Sequence, residues 1–194
     1  MNQNNTTPLC PITNTALDQF VSRWYEYHRN TNSDLLKTQY DSQWPSLCYI
    51  DSKELTDGAP CLWKPIQQST QDMFARLSEA LETDIHPSIN TFYSRYWSNH
   101  LSARCSEGEL ELLQAWNQED MERLRSNLLG HALDKKKRKQ TLSFFFAITS
   151  PDDGMLCINN NNGEVWYEMP GKKPIRKIAD SLAQFVDGLI VTPI

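Results

Sequence analysis

The longest unbroken apolar run in the chain is five residues, Phe144 to Ile148. A membrane-crossing helix needs roughly 20, so no such span is expected. Every core-facing segment must be short or amphipathic, and the core must be assembled from many of them. The material for a core is present: six Trp, seven Tyr and seven Phe, set against only seven Gly. Chains too poor in apolar and aromatic residues to offset the entropy of ordering stay disordered; this chain, 39% apolar over 194 residues, has enough for one domain or two small ones.

The start, Met1 to Thr7, is polar and Asn-rich, with no basic segment and no apolar stretch behind it. No secretory signal is expected. The five cysteines, Cys10, Cys48, Cys61, Cys105 and Cys157, are odd in number and widely spaced. No CxxC pair exists, so neither a redox motif nor a zinc knuckle is indicated. Free thiols in a reducing cytosol are the simplest expectation.

Periodicity sets the order of elements. Residues 1–14 read as a tail and 15–194 as one domain. Thr15 is a candidate cap for a helix whose Leu17, Phe20, Val21, Trp24 and His28 share a face. Asn30 to Pro45 reads as polar and irregular. Leu47–Ile50 and Ala59–Trp63 read as short strands flanking Asp57-Gly58, a turn signal. A helix is expected over 70–83, another from Pro87 through Trp97, then a strand pair at Leu101–Cys105 and Glu109–Trp116. Asn117, with Asp120 three residues on, predicts a helix whose stripe is Met121, Leu124, Leu128 and Ala132. A strand over 142–149, a hairpin across Asn162-Gly163 and a last helix over 175–189 complete the chain. The class is α+β: a mainly antiparallel sheet of about five to six strands with helices against it.

Signatures of catalysis are absent. There is no GxSxG, HExxH, P-loop or GxGxxG, and the four histidines, His28, His86, His100 and His131, are scattered. No catalytic pair, cofactor motif or metal spacing emerges. No small-molecule substrate is indicated, and the chain is expected to bind rather than catalyse.

Charge is where the sequence is informative. The net is −5, but Asp51 to Glu122 holds 13 acids and 5 bases, whereas Arg123 to Lys139 holds 7 bases and 1 acid. A net acidic chain is a poor general nucleic-acid binder. The acidic stretch has two readings: an ordinary solvated surface, or an acidic groove awaiting a cationic partner, which would favour fast association and selectivity. Glu109 and Glu111 alternate with Leu110 and Leu112, which on a strand puts both carboxylates on one face, roughly 7 Å apart. The candidates for an acidic partner site are Glu26, Asp57, Glu79, Glu82, Asp84, Glu119 and Asp120. The basic run Lys135-Lys136-Lys137-Arg138-Lys139 also has two readings: complementing a helix C-terminus, or weak contact with an anionic lipid surface.

Several stretches in order resemble the Syd family of SecY-interacting proteins. They are Trp24-x-Glu26-x-His28, Pro45-Ser46-x-Cys48, Trp63-x-Pro65 and His86-Pro87-Ser88-Ile89-Asn90-Thr91-Phe92-Tyr93. Then come Leu112-Leu113-Gln114-x-Trp116, Asn127-Leu128-x-Gly130-His131 with the basic run, the apolar strand from Phe144 to Ala147, Gly163-Glu164-Val165 and Leu182-Ala183-x-Phe185. The likeness runs from Leu17 to Leu189. Glu26, Glu79, Glu82, Glu119 and Asp120 lie inside matching stretches; Glu109 and Glu111 are not family positions. The resemblance implies a SUKH-superfamily α+β fold and a cytoplasmic protein held peripherally at the inner face of the bacterial inner membrane. It implies binding to SecY, the channel subunit of the export translocon, and restraint of improperly assembled SecY complexes. SecY's cytoplasmic loops are basic by the positive-inside rule, so an acidic groove would complement them. The alternative is a related SUKH-type binder, such as an immunity protein neutralising a basic toxin.

Overall fold

The computed structural model describes residues 9–31, 36–69, 73–150 and 154–192. Helix α1 (Pro11–Thr31) buries Leu17, Phe20, Val21, Trp24 and His28, the face that its spacing predicts. It begins four residues before Thr15, because the Cys10 backbone N–H donates to Thr91 Oγ1 at 2.7 Å and anchors the entry. Part of the expected tail is therefore helix; residues 1–8 lie outside the described residues, as do Asn32 and Ser33, where the helix was expected to fade.

A seven-stranded antiparallel sheet forms the centre. Its strands are β5 (Leu101–Cys105), β6 (Gly108–Leu112), β7 (Ser143–Ser150), β8 (Met155–Asn159), β9 (Val165–Glu168), β10 (Arg176–Ala179) and β11 (Ile190–Val191), in the order β10-β9-β8-β7-β6-β5-β11. The α+β class stands, and the sheet is wider than the five or six strands expected. Its two edges account for the difference. The segment read as one helix over 175–189 divides into strand β10 and helix α5 (Leu182–Asp187), with β11 following. Ser181 causes the break: its side chain accepts from the Gln184 N–H and caps α5.

Strand β7 is buried or half-buried from Ser143 to Ala147, while Ile148 and Ser150 are exposed, and its buried part requires cover on both faces. Phe146 meets Phe92 and Phe185 at 5.3 and 5.5 Å, from helices α3 (Pro87–Arg95) and α5. Phe145 instead meets His131 of helix α4 (Gln118–Lys137) at 5.5 Å. Helix α2 (Met73–Leu81) packs on α4, while α1 packs on α3 and α5. The Asp18 carboxylate ties α1 to α3 by accepting from Arg95 Nε at 2.8 Å and the Tyr96 hydroxyl at 2.7 Å. Helix α3 ends at Arg95, short of Trp97, since Tyr96 turns extended and opens strand β4 (Tyr96–Trp97).

Two small ladders stand beside the sheet. Strand β1 (Lys37–Gln39) pairs with β2 (Pro60–Leu62), and β3 (Ile66–Gln67) pairs with β4. The polar stretch read as irregular thus contains β1. The expected strand at Leu47–Ile50 is reduced to one bridge, Tyr49 to Trp63. The turn at Asp57-Gly58 is present, with Gly58 at φ +84°, in the left-handed region that glycine enters without strain.

Candidate functional site

An aromatic ladder leads from the core to the surface. Trp24 packs on Trp63 at 5.7 Å, Trp63 on Trp116 at 5.8 Å, Trp116 on Tyr49 at 5.1 Å and Tyr49 on Tyr40 at 5.2 Å. Such pairs add about 0.5–1.5 kcal/mol each beyond their burial. The ladder fixes its outer members, and these wall an open cleft of about 610 Å³. Tyr40, Trp44, Tyr49 and Trp116 supply its aromatic surface. Three carboxylates line it: Asp41, Asp57 and Asp120.

Each carboxylate is held by backbone or hydroxyl groups. Asp41 accepts from the Gln43 N–H at 2.8 Å. Asp57 accepts from the Ser42 N–H at 2.7 Å and the Ser42 hydroxyl at 3.1 Å. Asp120 sits in the first turn of α4 and accepts from the Trp116 N–H at 2.9 Å, while Asn117 caps the helix by accepting from the Asp120 N–H. The positive end of α4 offsets part of the Asp120 charge. Tyr49 closes the floor: its hydroxyl donates to the Gln39 carbonyl at 3.3 Å and accepts from the Asp41 N–H at 3.2 Å. Burial pushes the Tyr49 phenol above its ordinary range. The Arg123 guanidinium lies 4.2 Å over the Trp44 ring, so this ring already accepts a cation on its face.

Of the seven acids named from sequence, the cleft lining includes Asp57 and Asp120. Glu119 is exposed beside Asp120 on α4. Glu26 is exposed on α1, and Glu79, Glu82 and Asp84 are exposed at α2 and just beyond it, so these four do not line the cleft. Glu82 sits at φ +50° immediately after α2, where it stops the helix. Glu122 is engaged by Arg76 and Arg125, whose hydrogen bonds hold its carboxyl below the usual range. Glu109 and Glu111 do share the exposed face of β6, opposite buried Leu110 and Leu112, and Glu109 pairs with Arg104 at 2.7 Å. Sequence reasoning missed Asp41, Tyr40, Trp44 and Tyr49. Their signal was the density of aromatics inside a polar stretch.

The basic run divides. Lys136, Lys137, Arg138 and Lys139 are exposed. Lys135 is 3% exposed and pairs with Glu168, 1% exposed, at 2.6 Å. Lys135 therefore cannot touch a lipid surface and leaves the set proposed for it. Ser143 Oγ donates to the second Glu168 oxygen at 2.7 Å. His131, Cys157 and Glu168 bring ligand-type atoms within 4.8 Å of one another, a grouping no sequence spacing suggested. The Lys135 ammonium already supplies the positive charge there. Burial also pushes the Cys157 thiol well up, which opposes the thiolate a metal would need. The remaining histidines have separate settings: His28 is buried against Trp24 at 4.2 Å, His86 caps α3, and His100 is exposed 3.7 Å from Glu111. None of them lines the cleft. No helix among the described residues is long and apolar enough to cross a membrane.

A family profile described as Syd protein (SUKH-2) matches residues 14–190. "Protein Syd" of Pseudoalteromonas atlantica is 39% identical over 174 residues, covering 90% of this chain and 93% of that protein. Its counterpart in Alteromonas mediterranea is 38% identical, covering 89% and 93%, and that of Colwellia psychrerythraea is 34% identical, covering 90% of each. With a match across nearly its whole length, the chain belongs to the Syd protein family.

Proposed function

We propose that the protein binds SecY at the cytoplasmic face of the inner membrane and restrains improperly assembled translocon complexes, without catalysis. One observation carries this reading: a preformed aromatic cleft bearing Asp41, Asp57 and Asp120, in a chain of the Syd family. The basic cytoplasmic loops that the positive-inside rule assigns to a membrane channel are its chemical complement. A Lys or Arg side chain entering the cleft meets carboxylates at the rim and ring faces at the wall, and both attract a cation. The walls are fixed beforehand by the ladder and the Ser42–Asp57 bonds, so little ordering entropy opposes binding. Lys136, Lys137, Arg138 and Lys139 are exposed and add a weak attraction to anionic lipid, at most about 1 kcal/mol per residue near the surface, reduced where Lys136 donates to the Leu81 carbonyl and Arg138 pairs with Asp134.

The test is co-purification of SecY from detergent-solubilised membranes with the wild-type protein and with the Asp41→Asn/Asp57→Asn variant. SecY is expected with the wild type, in amounts that fall as salt rises past the Debye range, and to be depleted with the variant. Equal recovery by both proteins would remove the cleft from the interface. A second reading, implied by the resemblance to SUKH-type binders, has the same cleft neutralise a different basic protein such as a toxin; recovery of such a protein in place of SecY would select it.

A further inference from the structure

A second cavity, of about 340 Å³, adjoins the cleft and shares Trp116 with it. Its other walls include Pro45, Ser46, Leu47, Trp97 and Asn117. The loop that carries Pro45, Ser46 and Leu47 is stapled to the start of α4: Ser46 Oγ donates to the Trp116 carbonyl at 2.6 Å, and Asn117 Nδ2 donates to the Pro45 carbonyl at 2.9 Å. Ser46 Oγ also accepts from the Cys48 N–H at 3.1 Å. Leu47 is nevertheless 73% exposed. A leucine held open to water on a fixed loop is apolar area whose covering is favourable. No charged side chain lines this groove, whereas three carboxylates line its neighbour.

We propose that Trp116 is the ridge between two halves of one docking surface, whose occupant is a protein loop presenting two different side chains. A Lys or Arg enters the acidic half. A leucine- or phenylalanine-sized side chain, about two to three residues away along an extended strand, covers Leu47 in the apolar half. Charge complementarity selects a basic loop, and the apolar groove selects among basic loops. Loops that leave a membrane carry this pairing, because cations and apolar residues adjoin at the bilayer boundary. The inference rests on the acidic-cleft reading above and adds the apolar specificity that reading lacks.

Two synthetic peptides of identical charge test it, one with Leu three residues from a Lys-Arg pair and its twin with Ser in that place. Each is titrated calorimetrically into the wild-type protein, Leu47→Ser and Asp57→Asn. The Leu peptide is expected to bind wild type about tenfold tighter than its twin, the scale of partly burying one leucine. That advantage should shrink to about twofold or less in Leu47→Ser, with an unchanged dependence on salt. Asp57→Asn should weaken both peptides by the same factor. Equal affinity of the two peptides for wild type would overturn the two-part surface and leave the acidic cleft standing. Failure of both peptides to bind would overturn the two together.

Discussion

The two ends of α4 carry charge in opposite ways. At its N-terminus, Asp120 borders an open cleft with Asp41 and Asp57, and the carboxylates stay in reach of water and of a partner. At its C-terminus, Lys135 and Glu168 are sealed from solvent and form an ion pair. A charge pair inside the protein is a cost that its own geometry must balance, so it serves the fold. Like charges gathered in a concavity repel, and a cationic partner relieves that repulsion, so they serve recognition. One helix thus holds a structural ion pair at one end and, at the other, contributes Asp120 to the acidic lining of an open cleft.

The largest expected effect breaks the sealed end. Lys135→Met leaves Glu168 buried without its counter-charge and should lower stability by about 3–5 kcal/mol in denaturant unfolding. The Lys135→Met/Glu168→Gln pair should recover most of that loss, since no uncompensated charge remains. If Lys135→Met alone were as stable as wild type, the description of this end as a mutually dependent pair would fail.

At the open end the expected effect falls on binding and spares stability. Asp41→Asn/Asp57→Asn should weaken a basic peptide about tenfold or more at low salt, an effect that fades as salt rises. Asn keeps an acceptor for the Ser42 and Gln43 N–H groups, so unfolding should move by less than about 1 kcal/mol. Arg123→Gln removes a cation from the Trp44 face and should tighten the same peptide by a few-fold. Weaker binding by Arg123→Gln would show that the guanidinium helps hold the partner.

A pH series sharpens the contrast further. Burial lowers the pKa of His28, His86 and His131 from the ordinary 6.5. The unfolded chain takes up these protons first, so stability present above pH 6.5 should be lost as pH falls through the depressed values. Neither ring nitrogen of His28 finds a hydrogen-bond partner among the described residues. His28→Phe should therefore flatten the acid limb, with little change at pH 8. An unchanged limb would move the acid sensitivity from His28 to the other groups whose pKa is lowered, His86, His131 and the paired carboxylates Asp18 and Glu122. The smallest effect is expected for Lys137→Gln/Lys139→Gln, within about 0.5 kcal/mol of wild type, with weaker association to anionic vesicles as its readout.

Elements with an internal period were legible in the sequence. The stripe of α1, the Asn117 cap of α4 and the strand pairs flanking Gly108 and Gly163 each follow from local residues. Strands β1 and β10 were not, because short polar edge strands are defined by the neighbour they pair with rather than by their own pattern. The burial of Lys135 was in principle visible. It lies fourteen residues after Met121 in α4, in phase with Leu128 and Ala132 on the buried face. Helical phase outweighed the identity of the side chain, and reading the five cations as one exposed block overlooked it. Asp57 and Asp120 were legible as acids; that they meet Asp41 across a cleft depends on the β1–β2 ladder folding over the start of α4, and no local signal reports that.

The central claim is that the cleft at the start of α4 receives a basic loop. Amide and indole shift mapping during titration with a synthetic peptide of a SecY cytoplasmic loop tests it directly. The expected result is saturable shifts at Tyr40, Asp41, Trp44, Tyr49, Asp57 and the Trp116 indole, abolished by high salt. Shifts confined to the α4 C-terminus or the β10 edge, with the cleft signals unmoved, would contradict it.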